Sequence, residues 1–466
     1  MVSIVETMTD PQLFGPTFGG DSFAAWRALL GAFYGLPLDD DQLETFQTLT
    51  GREKAPVGAF DELWLAIGRR GGKSHAAALV ATFEAAFKDH RAKLAPGEVA
   101  TVMLLAADRA QARTLLRYVR GLFEHPMLKP LVARETAAGL ELVNRSAIEV
   151  HTASHRAVRG YTLAAVVCDE IAFWHSDGAR PDAEVIAALR PALVTLGGKL
   201  VAISSPYSKR GELWNSYRRH FGQDDSTRVL VAQAPSPAMN PTIPQHVIDD
   251  AMKDDAARAS AEWLAQFRAD IEQFLSVEVV TEAMRTEPLS LPPRSGLRYF
   301  AFVDPSGGGA DEFTLAIGHA EDAGLIVVDQ VVGRRGNPAA ITGEFCDLLK
   351  EYRIGTVRGD RYAAEWSRTE FRRNGIAYLD APGVRSELYL SMASALQAGR
   401  VELPPCEKLE RQLVSLERRT TRGGRDIIDH PPGLHDDRGN AAAGLVATLA
   451  AQRRAPKILI GTYEHR

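Results

Sequence analysis

Two sets of residues in this chain could do chemistry on phosphates. The first begins at Gly68-Arg69-Arg70-Gly71-Gly72-Lys73-Ser74. Its glycines let successive backbone N–H groups turn toward an anion, and a helix starting there would add the positive end of its dipole. Lys73 can then reach the β- and γ-phosphates of a nucleotide, and the Ser74 hydroxyl can ligate Mg2+. The usual spacing has a glycine six residues before the lysine, where this chain has Ile67. Farther on, Val166-Val167-Cys168-Asp169-Glu170 supplies adjacent carboxylates. Asp169 can hold Mg2+ through water, and Glu170 can polarise an attacking water. Ser204-Ser205-Pro206 could sense the γ-phosphate and couple its loss to motion, or be a simple turn. The arginines of His155-Arg156-Ala157-Val158-Arg159-Gly160 could stabilise transition-state charge or form a solvated loop. Phe46-Gln47 could hold adenine by stacking and an amide contact; the alternative is an amphipathic helix with one buried Phe.

The second set is acidic. Asp304 closes an apolar run and is followed by Pro305-Ser306 and glycines, Asp360 closes another, and Asp436-Asp437 follow His435 ahead of an alanine-rich stretch. Any one of these is most simply a cap or a turn residue. Three carboxylates converging from separate element ends can hold two Mg2+ or Mn2+ ions and cleave a phosphodiester. Upstream of the third, Arg418, Arg419, Arg422 and Arg425 are expected in a glycine-containing turn, suited to phosphate contacts or to simple solvation.

The elements needed to position these residues are legible in outline. Leu63–Ile67, Ala100–Ala107, Leu163–Asp169 and Lys199–Ser204 read as buried strands, with shorter ones at Leu140–Val143 and Ala147–His151. The phosphate-loop helix and an Arg-rich helix (Asp108–Phe123) alternate with them, which predicts a parallel sheet covered on both faces. Near the N-terminus, Asp21-Ser22 caps a helix through Tyr34 and Asp39–Asp41 another through Thr48. Residues from Pro235 change character: four prolines, a charged helix over about Gln245–Phe274, and a proline-rich linker near 286–297, together read as a lid or bridging subdomain. Beyond it come three strands in a meander turned at Gly307–Gly309 and Asp322-Ala-Gly, a helix (Pro338–Tyr352), a strand at Gly355–Arg358, a helix (Glu365–Asn374) and a strand at Ala377–Leu379. This order resembles an RNase H-like domain. The expected domains are 1–234, 235–297 and 298–466.

At 466 residues the chain exceeds what one core usually supports, and its 45% apolar and 24% charged content is that of a globular protein. Cys168, Cys346 and Cys406 are far apart, which fits a reducing compartment and opposes a disulfide framework or a structural zinc. The N-terminal residues lack the pattern of a secretory leader and no apolar run is long enough to span a bilayer, so a cytoplasmic location without membrane contact is expected. A net charge of −5 means any contact with DNA must use local patches.

Taken together, GRRGGKS, VVCDE, SSP, Arg159 in RGYT, and the stretches FVDPSGG, GDRYAAEW and HDDRGNAAAGL resemble, in order, the motifs of the large terminase subunit of tailed bacteriophages. The resemblance runs from about Phe46 to about Ala450. It implies an α/β chain with an N-terminal RecA-type P-loop ATPase and a C-terminal RNase H-like nuclease. Members often lack the first loop glycine and carry an arginine at the position of Arg69, and often have an acid where Asn440 stands. The resemblance further implies ATP with Mg2+ in the first site and two Mg2+ or Mn2+ ions in the second. Arg159 becomes an arginine finger, and Asp436 rather than Asp437 the principal third ligand. The implied partners are double-stranded DNA, a portal protein, a small terminase subunit, and further copies forming a ring on the procapsid. The implied location is the host cytoplasm and, transiently, the portal vertex. Two rivals are a repair-type helicase–nuclease, for which no further helicase motifs follow Ser205, and a structural capsid-vertex protein with a non-catalytic nucleotide site.

Overall fold

The computed structural model describes residues 2–153, 158, 160–174, 181–268, 270–305, 311–321, 324–360, 364–420, 426–431 and 434–454. It divides into two compact units, Met1–Asp270 and Ile271–Arg466. The stretch 235–297 is therefore shared between the units, through Asp270 in the first and from Ile271 in the second.

The first unit is built on one eight-stranded sheet: β1 (Glu62–Ile67), β2 (Ala100–Ala106), β3 (Val132–Thr136), β4 (Gly139–Leu142), β5 (Ser146–Thr152), β6 (Thr162–Asp169), β7 (Lys199–Ser204) and β8 (Val229–Ala234). Their order is β3-β4-β5-β2-β6-β7-β1-β8, with β5 to β8 parallel to one another and to β1 and β2, and β3 and β4 added as an antiparallel edge. β7 thus lies between the loop-bearing β1 and the acid-bearing β6, which brings three strand ends together where an open α/β sheet binds ligands. Both faces are covered because the strands are apolar throughout. In β1, Leu63, Leu65 and Ile67 enter one core cluster, while Trp64 and Ala66 enter the cluster across the sheet. The expected charged helix at Gln245–Phe274 is instead two helices, Gln245–Asp254 and Ala256–Leu264, followed by a short strand. The break has a local cause: the Asp255 carboxylate accepts from Arg258 N and caps the second helix.

The second unit holds a six-stranded sheet: β10 (Tyr299–Asp304), β11 (Phe313–Ala320), β12 (Ile326–Arg334), β13 (Thr356–Gly359), β14 (Ala377–Asp380) and β15 (Val401–Glu402), in the order β14-β13-β10-β11-β12-β15. β10, β11 and β12 form an antiparallel meander, and β13 and β14 continue in parallel from β10. This is an RNase H-like sheet with one added edge strand. A small second sheet joins β9 (Ile271–Gln273), β16 (Glu417–Thr420) and β17 (Asp426–Asp429). The helix Asp437–Arg454 packs across β10 and β11 through Ala441, Ala442, Leu445 and Val446. Gly444 permits the approach, since a Cβ there would collide with the Phe302 ring of β10. That contact sets the first turn of the helix beside the end of β10.

Among the described residues, no helix is long and apolar enough to cross a membrane.

Candidate functional site

At the end of β1 the chain turns through Gly68–Gly72 into the helix Lys73–Ala86. Arg70 (φ 61°) and Gly72 (φ 83°) are left-handed, so two turns reverse the backbone within the loop. The loop is held from outside: the Trp26 indole donates to Gly71 O (2.9 Å), Asn240 Nδ2 to Arg70 O (3.0 Å) and Arg69 N to Glu262 O (2.5 Å). The exposed Arg69 guanidinium also lies 3.4 Å from the Glu262 carboxylate. Ser74 follows at the second helical position, half-buried.

Lys73 points back under the loop. Its Nζ donates to Ile67 O (2.9 Å), Gly68 O (3.1 Å) and Ser205 Oγ (2.9 Å), and lies 3.9 Å from Glu170 Oε1. Burial lowers its pKa, with Glu170 and Asp169 pulling the other way. Asp169 closes β6, buried, its carboxyl pushed up to about 7 by desolvation and the neighbouring Glu170. Glu170 is left-handed (φ 50°), a conformation uncommon outside glycine that turns its carboxylate toward β7. Its Oε2 accepts from Ser204 Oγ (2.9 Å) and Ser205 N (3.1 Å). Sequence reasoning named Lys73, Asp169, Glu170 and Ser204 separately, and the structure joins them in one network. Ser205, named there only within the Ser204-Ser205-Pro206 coupling motif, is the hydroxyl that Lys73 reaches.

Phe46 requires a correction. Its ring is 0% exposed inside the core cluster, so no face is left to stack on a base, and Gln47 gives its amide to Glu53 O (2.6 Å). The helix Asp40–Thr50 packs against the helix Ala24–Phe33 and against β8, and Phe46 joins the core cluster between them. Arg156 and Arg159 lie outside the described residues.

In the second unit, Asp304, Asp360, Asp436 and Asp437 line one cavity, with Asp311, Glu312, Arg385, His430, His435 and Asn440. Asp304 ends β10; burial pushes its carboxyl up to about 7, opposed by the Asn440 amide donating to Oδ2 (2.9 Å) and reinforced by Asp436 and Asp437. Asp360 follows β13, and its backbone carbonyl accepts from Tyr378 OH (2.9 Å). Asp436 receives the Tyr389 hydroxyl at Oδ2 (2.6 Å) and the Arg385 guanidinium at Oδ1. Asp437 begins the helix; its Oδ2 accepts from Glu312 N (2.9 Å), and burial, then Asp311 and Asp436, raise its pKa. Carboxyls gathered so closely that burial and mutual repulsion hold one near neutrality are a donor set suited to a hard divalent cation. Asn440 Oδ1, buried with no partner among the described residues, is consistent with an electropositive occupant.

Two expectations about arginines change. Arg418 and Arg419 lie in β16 rather than a turn, and each has an acidic partner, Asp426 and Glu417 (3.0 Å) respectively. Arg422 and Arg425 lie outside the described residues, as do Ser306 through Gly309.

No protein-family model matches the chain, and no curated protein does. Solved structures do. The chain is similar to the large terminase of bacteriophage HK97, at 15% identity over 91% of this chain and 99% of that one, with a TM-score of 0.39. It is similar to the large terminase of the thermophilic bacteriophage D6E in complex with ADP, at 14% identity over 89% and 100%, with a TM-score of 0.40. The large terminase nuclease of thermophilic phage G20c with bound magnesium matches 37% of this chain and 96% of that one, at 17% identity and a TM-score of 0.32. At such identities and scores the likeness assigns no residue a role; the roles rest on the geometry of this chain.

Sequence reasoning passed over Arg385, Tyr389 and Asp311. Arg385 and Tyr389 sit four residues apart on the helix Arg385–Gln397 and reach the same carboxylate. That spacing marks a shared helix face but carries no sign of what it faces. Asp311 had the better signal, an acid close behind Asp304 at the far side of a glycine run.

Proposed function

We propose that this chain is a DNA-packaging motor subunit of the large-terminase type, an ATPase and a metal-dependent endodeoxyribonuclease in one polypeptide. The observation that carries the reading is the pairing of two phosphate-directed sites at strand ends. One is the Lys73–Glu170–Ser204 network of a P-loop sheet, the other the aspartate cavity of an RNase H-like sheet.

In the first site the first amides of the helix Lys73–Ala86 and the Lys73 ammonium take the phosphates of ATP, so Lys73 exchanges the carbonyls of Ile67 and Gly68 for phosphate oxygens. Ser74 and Asp169 would hold Mg2+, which when bound neutralises charge on the β- and γ-phosphates. Glu170 orients and polarises the attacking water. Ser204, bonded to the Glu170 carboxylate, transmits loss of the γ-phosphate to the segment after β7. Arg159 completes the site of a neighbouring copy, since each nucleotide of a head-to-tail ring faces the next subunit. Mixing Arg159→Ala with Lys73→Ala, each inactive alone, should restore part of the ATPase. No recovery between proteins that co-assemble would place Arg159 in its own subunit's site or in the fold.

In the second site Asp304, Asp360, Asp436 and Asp437 would hold two Mg2+ or Mn2+ ions, which when bound supply an activated water and stabilise the leaving 3′-oxygen. Each Asp436 oxygen keeps a lone pair beyond its bond to Tyr389 or Arg385, so that pair positions the carboxylate. The substrate is concatemeric double-stranded DNA, cut to begin and end packaging. Partners are a portal ring, a small terminase subunit and further copies of the chain, met at the procapsid vertex from the host cytoplasm.

The reading is tested by assaying the full chain for ATP hydrolysis with and without duplex DNA, and for Mg2+- or Mn2+-dependent plasmid cleavage. Both activities are expected, and absence of either overturns the two-site reading.

A further inference from the structure

We propose that Gln412 is a positioning residue for the cleavage site: it caps the helix Asp437–Arg454 from outside and so frees the Asp436 carboxylate to face the cavity. Its consequence for cleavage rests on the nuclease reading above; the cap itself does not.

An α-helix leaves its first N–H groups without intrahelical acceptors, and the residue just before it ordinarily supplies one from its own side chain. Asp436 holds that place. Its backbone carbonyl accepts the first intrahelical bond, from Asn440 N (2.7 Å), and aspartate is among the residue types that cap best. The groups a capping Asp436 would take are the N–H of Arg438 and of Gly439. Both are already taken. Gln412, 5% exposed on the helix Glu407–Ser415, accepts from Arg438 N (2.8 Å) and Gly439 N (3.0 Å) with its Oε1.

The Asp436 carboxylate is thereby spared for other partners. It turns to the Tyr389 hydroxyl (2.6 Å at Oδ2) and the Arg385 guanidinium. Swung back onto the helix amides, it would leave the buried Tyr389 hydroxyl without its acceptor, a costly exchange. The neutrality of the cap matters as well. Asp304, Asp360, Asp436 and Asp437 already line one cavity, and an amide oxygen accepts the two N–H groups without adding to their repulsion.

The experiment compares Gln412→Met, Gln412→Asn and Gln412→Glu in the full chain by thermal melts, Mn2+-dependent plasmid cleavage and crystal structure. Methionine keeps the length of the side chain but has no oxygen acceptor, asparagine is one methylene short, and glutamate keeps both hydrogen bonds. Leu409→Ala is the packing control: Leu409 is buried on the same helix and takes no part in the cap. Gln412→Met should cut cleavage ~10–100-fold below its melting temperature. Gln412→Asn should fall between it and wild type, and Gln412→Glu should keep most of the rate. Leu409→Ala should lower the melting temperature at least as far and keep cleavage. In the Gln412→Met crystal the Asp436 carboxylate should have turned onto Arg438 N and Gly439 N; should methionine unfold the chain, Gln412→Asn gives the same readout. Wild-type cleavage by Gln412→Met and Gln412→Asn, or losses no greater than in Leu409→Ala, would overturn the proposal. So would a variant structure in which Asp436 still receives Tyr389 and Arg385. That structural outcome decides the cap even if the wild-type chain cuts no DNA, a result that would overturn the nuclease reading instead.

Discussion

The two sites place acids at strand ends in opposite electrostatic settings. In the first unit Asp169 and Glu170 face a cation belonging to the chain, Lys73, and Glu170 is tied down by Ser204 and Ser205. In the second, Asp304 has the neutral Asn440 amide as its hydrogen-bond donor and Asp436 and Asp437 as charged neighbours, and the Arg385 guanidinium, engaged with Asp436, offsets them only in part. A site with its own counter-charge stands assembled before its ligand arrives. A site made mostly of acids stores repulsion that a bound cation relieves. The first should therefore depend on single side chains, and the second on metal and pH.

The largest effect that would sharpen this contrast is at Lys73. Lys73→Ala leaves Glu170 and Asp169 without their cation and the loop without its central donor, so ATP turnover should fall by ~10³-fold or more. Steady-state ATP hydrolysis checks this, and near wild-type turnover would break the comparison on the first side.

A second prediction concerns metal and pH. Asp304 and Asp169 have folded-state pKa values near 7, above the ordinary carboxylate value. The stability linked to their bound protons is fully present at low pH and is lost as pH rises through about 7. Divalent cations bind the ionised forms, so Mn2+ should raise the melting temperature more at pH 8 than at pH 5.5. Melting curves in Mn2+ and in chelator at the two pH values measure the difference. An equal shift at both would mean that metal binding is not coupled to these carboxyls.

A smaller effect is expected at Gly444. Ala there forces a methyl into the Phe302 ring, at a cost of about 1–3 kcal/mol, and displaces the turn carrying Asp437 and Asn440 from Asp304. Denaturant melts should show the loss, with cleavage reduced and ATP turnover kept. Equal loss of both activities would mean that the packing contact serves global stability alone.

What could be read in advance follows from how local each signal is. The phosphate loop and the acidic strand are runs of neighbouring residues, so loop, lysine and carboxylates were legible without the fold. β3 and β15 to β17 were missed because edge and short strands have little apolar pattern; in β3 Arg134 and Glu135 are exposed, and Arg134 pairs with the exposed Glu141 of β4. Phe46 was misread because its helix offers one buried face, and only its packing against the helix Ala24–Phe33 and β8 shows which. Arg385 and Tyr389 were out of reach for another reason. Each gains its meaning from a residue far away in sequence, and nothing in either segment names the partner.

The central claim, two independent phosphate chemistries in one chain, is tested most directly by one paired assay on two substitutions. Glu170→Gln keeps the shape but cannot polarise water as a carboxylate does, and Asp304→Asn removes charge from the cavity floor. ATP hydrolysis and Mn2+-dependent plasmid cleavage are measured on both proteins and on wild type. The account predicts that Glu170→Gln loses ATP turnover by ~10²–10⁴-fold and retains cleavage, while Asp304→Asn loses cleavage by orders of magnitude and retains ATP turnover. Hydrolysis of ATP by Glu170→Gln at the wild-type rate, or undiminished cleavage by Asp304→Asn, would contradict it.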